Sequence, residues 1–247
     1  MGQAAAHLSR NERAKAYRDL LAQGRELYPG MRIGRPGRSR MYWGMITLLR
    51  ALRFGLKVDF AGAEHLTEGP AIIISNHVSG LDPVAVVMSR WWRITAFAKV
   101  EFFASRGAFF FRWMGQIPLR RGDAVSTEWA IKMSRLALAY GGMIGLYPEG
   151  TRSPDKRLHK LHKRVMIPLL QANAHVPVHA LVMSYRPRRC RRTLVTARLS
   201  QRIPLDPEHE TPQALTTRIR DVLLELGDQA YVDEYARDVK KRAHPAS

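Results

Sequence analysis

Short apolar runs alternate along the chain with longer stretches in which apolar residues recur every three or four positions. The short runs are rich in β-branched residues and predict buried strands, because such side chains pack well on a pleated sheet. The predicted strands lie at 58–61, 72–74, 94–98, 143–147, 179–184 and 193–199. The helical pattern occupies 8–27, 41–58, 82–88, 124–141 and the stretch that begins at 212. Strands that alternate with helices predict an α/β domain in which helices cover a mixed sheet.

The run at 72–74 leads into a polar segment that ends at a predicted helix start. Asp82 and Pro83 suit a first helical turn, since aspartate accepts from free backbone N–H groups and proline lacks the N–H that would go unpaired. On one continuous helix, His77 and Asp82 would point about 140° apart. A turn through Gly80 instead brings the carboxylate back onto the imidazole, as in a general base and its orienting group. The alternative is a strand-end histidine beside an unrelated helix cap.

A second polar segment, at 149–152, follows the apolar run at 143–147. Gly150 permits a close approach to the backbone, Thr151 supplies a hydroxyl and Arg152 a positive charge. Glu149 is expected to hold Arg152 or the loop in place rather than to touch an anionic ligand. The alternative is a salt bridge that serves only the loop.

The Asn-His-x-x-x-x-Asp motif at 76–82 and the Glu-Gly-Thr-Arg motif at 149–152 resemble those of the glycerolipid acyltransferases, a family typified by 1-acylglycerol-3-phosphate acyltransferase. The resemblance extends over about 58–205 and implies the family's α/β fold. It also implies that His77 and Asp82 are the catalytic pair and that the second motif binds the acceptor phosphate. Arg121 matches an arginine that meets the same phosphate, and a guanidinium fork suits two phosphate oxygens.

The reaction implied by the resemblance is transfer of a fatty acyl group from a thioester to a hydroxyl. The donor would be acyl-CoA or acyl carrier protein, the acceptor a lysophosphatidic acid-like lipid and the product phosphatidic acid. His77 would remove the hydroxyl proton, and Asn76 is among the candidate donors to the tetrahedral oxyanion. No serine or cysteine nucleophile is needed, so we expect direct transfer without an acyl-enzyme. We expect no metal, and no cofactor beyond the acyl carrier as co-substrate.

The sequence departs from the family pattern in several places. Arg120 stands where relatives more often carry an acid, and the stretch 158–175 lacks the family's glycines. His159 and His162 lie three residues apart among cations, which predicts a basic surface rather than a metal site. These departures leave the acceptor open, so a glycolipid, an amine or a specialised metabolite is the alternative substrate for the same chemistry.

The net charge of the chain indicates which class of molecule it binds. Forty Lys and Arg residues against 21 Asp and Glu give a formal net charge of +19. Nucleic acid and anionic membrane are the obvious polyanionic partners, but no nucleic-acid-binding motif is present. Basic loops at 32–40 and 186–192 suit anionic headgroups, and the helix at 8–27 is expected either to contact the membrane or to pack on the protein surface. We therefore expect membrane lipids, not nucleic acid, as the partner.

The stretch 41–58 is apolar and aromatic but contains three cations. A spanning helix needs about 20 predominantly apolar residues, so this pattern favours a helix that lies in the membrane interface. The alternative is a helix in the core of the protein. The aromatic cluster at 102–113 is expected to be either core or a surface that contacts the acyl chain or the membrane. The predicted location is the cytoplasmic face of the cell membrane, with peripheral or monotopic attachment. One cysteine, Cys190, and the lack of a signal-peptide pattern fit a reducing compartment.

The predicted organisation has three parts. Basic and interfacial helices occupy 1–57, the acyltransferase domain occupies 58–230, and a charged tail occupies 231–247.

Overall fold

A computed structural model describes residues 9–36, 41–52, 55–66, 68–90, 92–186 and 193–243. The strands are β1 Leu56–Ala61, β2 Ala71–Ser75, β3 Ile94–Lys99, β4 Ile117–Leu119, β5 Met143–Leu146, β6 Leu158–His159, β7 Val178–Arg186, β8 Thr193–Leu199 and β9 Tyr231–Val232. The α-helices are α1 Arg10–Leu27, α2 Tyr42–Leu52, α3 Asp82–Ser89, α4 Glu101–Ala104, α5 Ala108–Trp113, α6 Ala124–Ala139, α7 Lys163–Ala172, α8 Pro212–Gly227 and α9 Ala236–Ala243. Residues 37–40 and 187–192, which belong to the predicted basic loops at 32–40 and 186–192, lie outside the described residues.

The main sheet has the strand order β1-β8-β7-β2-β5-β3-β4. Strands β7 and β8 run antiparallel and the other neighbouring pairs are parallel. The prediction of a mixed sheet covered by helices is therefore confirmed. Because the carboxyl ends of parallel strands meet at one edge of a sheet, the segments that follow β2, β4 and β5 converge there. The two polar motifs follow β2 and β5, and Arg121 follows β4.

Strand β2 is buried along its whole length. Ile72 and Ile74 pack in the core that also contains α6, α7 and α8, whereas Ile73 packs in the core on the side of α3. Side chains alternate between the two faces of a strand, so a strand with helices on both faces is apolar at every position. This explains the continuous run at 72–74, and it fixes the position from which the first motif leaves the sheet.

Helix α1 packs on α6 and contributes to the main core. Tyr17 and Tyr28 are buried there, and the indole N–H of Trp129 donates to the carbonyl of Leu20 at 2.8 Å. Of the two interpretations of the 8–27 pattern, the structure supports packing on the protein. The region predicted as separate, residues 1–57, therefore includes part of the core.

Helix α2 is shorter than the predicted helix at 41–58. It ends at Leu52, and Leu56, the first residue of β1, already pairs with Thr193 of β8. Gly55 lies between them with a φ of +62°, a left-handed conformation that glycine adopts without the steric cost of a Cβ. Pairing with β8 thus draws the last residues of the predicted helix into the sheet.

The C-terminal residues pack against the domain instead of forming a free charged tail. Strand β9 pairs with β6, and the ring of Tyr235 stacks on His162 with 4.2 Å between ring centroids. The stretch predicted as a charged tail, from 231, thus contacts the domain through β9 and Tyr235. Within the described ranges, no helix is both long and apolar enough to cross a membrane.

Candidate active site

His77 and Asp82 meet at the carboxyl end of β2. The Nδ1 atom of His77 lies 2.7 Å from Oδ2 of Asp82, and the same oxygen accepts from the backbone N–H groups of Val78 and Ser79 at 3.0 Å each. A carboxylate only accepts hydrogen bonds, so Nδ1 carries the proton and Nε2 is the unprotonated nitrogen. The tight turn after His77 thus produces the contact that the spacing predicted. The structure favours this arrangement over an unrelated helix cap.

Tyr147 forms one wall of this pair. Its ring stacks on the imidazole of His77, with 4.4 Å between ring centroids and 26° between planes. Burial raises the pKa of its hydroxyl well above the ordinary value, and the negative charge of Asp82 raises it further. Tyr147 is therefore neutral at physiological pH. The sequence signal for this contact is the position of Tyr147 directly after β5, the parallel neighbour of β2.

Glu149 joins the first motif to the segment at 158–162. Its carboxylate is buried, and its two oxygens accept from the backbone N–H groups of His77, at 2.9 Å, and His159, at 3.1 Å. Burial raises the pKa of Glu149 to about 7, against the lowering effect of these two hydrogen bonds. The prediction that Glu149 holds the loop is in line with this geometry. Both carboxylate oxygens accept from backbone groups, and among the described residues Glu149 forms no ion pair with Arg152. A contact between Glu149 and the acceptor stays a prediction.

The side chain of Asn76 forms hydrogen bonds with β7. Its side chain is buried, its amide nitrogen donates to the carbonyl of Met183 at 3.0 Å, and its amide oxygen accepts from the N–H of Met183 at 2.8 Å. Both polar atoms of this side chain are thus bonded to Met183, and the expectation that Asn76 contacts substrate or the oxyanion stays a prediction. Just beyond the last paired residues of β2 and β7, this side-chain amide takes the place of a backbone partner for Met183.

The second motif brings two arginines to the same edge. Gly150 has a φ of +69°, its carbonyl accepts from the guanidinium of Arg121, and a Cβ at this position would lie 2.9 Å from Cδ2 of His162. Arg152 lies over the turn that follows His77, since a Cβ on Gly80 would be 3.5 Å from its guanidinium nitrogen.

Thr151 and Arg152 complete the exposed part of the motif. Thr151 is partly exposed and Arg152 is exposed. Arg152 forms no hydrogen bond or ion pair with any residue that the structure describes. The backbone N–H of Ser153 donates to the carbonyl of His77 at 2.7 Å, so the arginine loop is fastened directly to the histidine loop. A charge held beside the imidazole without a protein partner is suited to an anionic ligand.

The two histidines of the 158–162 segment do not form a basic surface. His159 is buried, with Nε2 2.9 Å from a carboxylate oxygen of Asp155 and Nδ1 3.3 Å from the carbonyl of Glu234. His162 is partly buried against Tyr235; burial lowers its pKa, and the nearby charges of Arg121 and Arg164 lower it further. The surface interpretation is therefore wrong for His159. Among the described residues, no group of three or more His, Cys, Asp or Glu side chains is placed to hold a metal ion.

Comparison with known proteins agrees with this geometry. The family model described as Acyltransferase matches residues 57–184. Over 190 residues the chain is 27% identical to human 1-acyl-sn-glycerol-3-phosphate acyltransferase alpha. This matched region covers 69% of this chain and 64% of the human protein. Over 116 residues it is 31% identical to the chloroplastic 1-acyl-sn-glycerol-3-phosphate acyltransferase LPAT1 of Arabidopsis thaliana, covering 43% and 31% of the two chains.

A solved structure shares the fold. The 1-acyl-sn-glycerophosphate (LPA) acyltransferase PlsC of Thermotoga maritima superposes with a TM-score of 0.54 at 18% identity, over 95% of this chain and 99% of that chain. The curated relatives are longer, since the matched region spans just under two thirds of the human protein. The family model, in contrast, covers just over half of this chain and includes both polar motifs. On that match, the chain belongs to the acyltransferase family.

Proposed function

We propose that this protein transfers a fatty acyl group from acyl-CoA or acyl carrier protein to the hydroxyl of a lysophosphatidic acid-like acceptor, giving phosphatidic acid. The observation that carries the proposal is the 2.7 Å contact between His77 and Asp82 at an edge that also presents Arg121 and Arg152. A base for the hydroxyl and cations for a phosphate thus lie in one place. The human and plant relatives are named as 1-acyl-sn-glycerol-3-phosphate acyltransferases, which supports this choice of acceptor.

The reaction follows from the state of the imidazole. Nε2 of His77 accepts the proton of the acceptor hydroxyl while that oxygen attacks the thioester carbonyl carbon. Asp82 holds the tautomer and stabilises the imidazolium that forms. The tetrahedral intermediate then collapses, the carbon–sulfur bond breaks, and the imidazolium returns its proton to the departing thiolate. Each proton and bond is accounted for without a covalent enzyme intermediate.

The arginines contribute by fixing the acceptor. Arg152 is exposed and has no hydrogen-bond or ion-pair partner among the described residues, and Arg121 donates to the carbonyl of Gly150 in the same motif. A phosphate monoester bound between them, with the Thr151 hydroxyl nearby, would be anchored at a fixed distance from His77. Such positioning converts an encounter between two substrates into a step within one complex.

A lipid acceptor requires access from a membrane, and one face of the molecule suits this. The small core of α2, α3 and α5 leaves large apolar side chains exposed around it. These are Met41, Trp43, Leu48, Leu81, Phe102 and Phe109. The aromatic cluster at 102–113 is thus divided, since Phe103 is buried whereas Phe102 and Phe109 are exposed. We propose that this apolar face lies in the interface of the cytoplasmic leaflet, without spanning it.

Vesicle flotation tests the apolar face. A variant that combines Leu48→Glu with Phe109→Glu should lose most of its binding to anionic vesicles, and Val125→Glu is the matched control because Val125 is exposed on α6. High salt should release the wild-type protein only in part, since salt screens charge but not apolar insertion. Full binding of the double variant in high salt would contradict the proposal.

The reaction itself is tested by an acceptor panel. Purified protein is incubated with acyl-CoA or acyl-loaded carrier protein and with lysophosphatidic acid, a glycolipid or an amine, and the products are identified by mass spectrometry. A phosphatidic acid product that disappears with His77→Ala supports the proposal. A product only with another acceptor would favour the second candidate, acyl transfer to a different substrate. The packing of His162 and Tyr235 beside Gly150 is the observation that motivates this candidate, because these rings lie next to the presumed phosphate site.

A further inference from the structure

The carboxylate of Asp82 is bonded on one side only. Its Oδ2 atom accepts from His77, Val78 and Ser79. Its Oδ1 atom is buried and has no hydrogen-bond partner among the described residues. Buried charged oxygens are rarely left in this state, because the lost hydration is not replaced. The carboxylate therefore has one accepting position that the backbone of its own turn does not fill.

Tyr185 supplies a donor of the same kind. Its hydroxyl is also buried and also lacks a hydrogen-bond partner in the described part of the chain. After burial, the charge of Asp82 is the largest cause that raises the pKa of this hydroxyl. The hydroxyl therefore keeps its proton, so it can donate.

The position of Tyr185 is set by the sheet. Leu181, Met183 and Tyr185 alternate along β7 toward the face that carries α3, and they pack in one apolar cluster with the helix. The two hydrogen bonds between Asn76 and Met183 fix β7 beside the residue that precedes His77. Two residues further along β7, Tyr185 reaches the level of the catalytic turn. Strand register thus places Tyr185 beside the turn that contains His77 and Asp82.

We propose that Tyr185 is a positioning residue for acyl transfer, whose hydroxyl donates to Oδ1 of Asp82 and so fixes the carboxylate that orients His77. This inference rests on the proposed function of the pair. Hydrogen bonds of this kind are often long in the absence of substrate and tighten in the complex. With Oδ1 held by Tyr185 and Oδ2 by the turn, the carboxylate cannot rotate away from the imidazole.

Two simpler roles for Tyr185 fit the observations less well. A packing role needs only the ring, and a phenylalanine would not place an unpaired hydroxyl in a buried site. A role as partner of Ser79 alone leaves Oδ1 unexplained, and the Ser79 hydroxyl already accepts from the N–H of Leu81 at 3.1 Å. A hydrogen bond from Tyr185 to Asp82 accounts for both unpaired atoms at once.

The test is Tyr185→Phe in the full-length protein, with the acceptor that the wild-type enzyme uses. We expect kcat to fall about 10- to 100-fold, the range expected for a hydrogen bond to a charged group, while both KM values change less than about twofold. Tyr140→Phe is the matched control, since Tyr140 is partly buried at the opposite end of β5. Both variants should keep the wild-type melting temperature, because the aromatic ring is retained.

The pH profile separates positioning from packing. His77 is faced by Asp82, by Tyr147 and by the loop that carries Arg152, and Glu149 accepts from its backbone N–H. Loss of the donor leaves more negative charge on Asp82, which stabilises the imidazolium, so the acid limb of kcat/KM moves to higher pH than in the wild-type enzyme. Glu149 is the same in both enzymes. Tyr185→Gln, which keeps an N–H donor, is the second variant and should retain more kcat than Tyr185→Phe.

Wild-type kcat in Tyr185→Phe, or a loss of activity with an unmoved acid limb, would overturn the inference. A Gln variant no more active than the Phe variant would count in the same direction. Failure of the proposed function looks different, because the wild-type enzyme itself would then give no acylated product.

Discussion

His77 and Asp82 lie among buried groups whose hydrogen bonds come from the protein, whereas Arg121 and Arg152 lie at the surface with few such bonds. The carboxylate of Asp82 alone receives three hydrogen bonds on one oxygen. Arg152 donates none to the described residues, although it lies over the same turn. Hydrogen bonds of Ser153 and Glu149 join the loop of His77 and Asp82, the histidine half of the site, to the loop of Arg152, the arginine half. The two halves therefore differ in hydrogen bonding although they lie at the same edge of the sheet.

The difference follows from what each half must do. A proton acceptor has to be oriented before the substrate arrives, because the orientation sets the tautomer and the direction of transfer. A phosphate-binding cation gains its partner from the ligand itself, and in the free protein it is stable in water. The histidine half should therefore govern kcat, and the arginine half should govern the KM for the acceptor.

The largest effect is expected for His77→Ala. Removal of the base should lower kcat by roughly 10²- to 10⁴-fold, while the acceptor still binds through the arginines. His209→Ala is the matched control, because His209 also contacts an aspartate, Asp206, but is exposed and outside the site. Steady-state assays and acceptor titration measure the two quantities. Near-wild-type turnover in His77→Ala would remove the distinction between the halves.

Much of this architecture could be predicted from local patterns. The β-branched run at 72–74, the Asp82-Pro83 helix start and the apolar run at 143–147 each depend on a few consecutive residues. Together they predicted an α/β sheet with two polar motifs at strand ends, and the structure confirms this sheet. The contact between His77 and Asp82 could be predicted for the same reason, since only four residues lie between them in the sequence.

Contacts between distant segments were not predictable in this way. Asn76 and Glu149 are polar residues at strand ends, which is equally the pattern of ligand-binding groups and of groups that satisfy buried backbone. The choice depends on β7 and on the segment at 158–162, whose positions follow from sheet pairing and from β9. Tyr185 was missed because its role depends on the register of β7, and the sequence of the strand itself does not state this register.

The second effect concerns Glu149, which joins the two halves. Glu149→Gln keeps the shape but replaces one accepting oxygen with an N–H₂ group, so either His77 or His159 loses its acceptor. An unsatisfied buried N–H costs about 1–3 kcal/mol, and we expect kcat to fall about 10- to 100-fold as the histidine turn shifts. Unchanged kcat would show that the two loops are held by other contacts. Glu128→Gln, an exposed change on α6, is the control.

The same substitution predicts a change in stability with pH. The pKa of Glu149 is raised from 4.5 to about 7, so the folded state binds more protons than the unfolded state between these values. The resulting stabilisation is complete below pH 4.5 and is lost as pH rises to about 7, with a span of about 3 kcal/mol. Between pH 4.5 and 7, the wild-type melting temperature should therefore fall relative to that of Glu149→Gln. A constant difference between the two would indicate that the carboxyl has an ordinary pKa.

The smallest effect is expected for Arg152→Lys, and it is the sharpest test of the arginine half. Lysine keeps the charge but cannot bind two phosphate oxygens with a planar fork, so the acceptor KM should rise about tenfold. The donor KM and kcat should change little, since Arg152 makes no hydrogen bond or ion pair with the described part of the chain. The melting temperature should stay the same for that reason. Arg220→Lys on α8 is the matched control, because Arg220 pairs with Asp221 away from the site. Equal increases in the donor and acceptor KM values, or a lower melting temperature, would mean that Arg152 supports the loop, and the contrast between a prearranged base and a ligand-completed anion site would then fail at this residue.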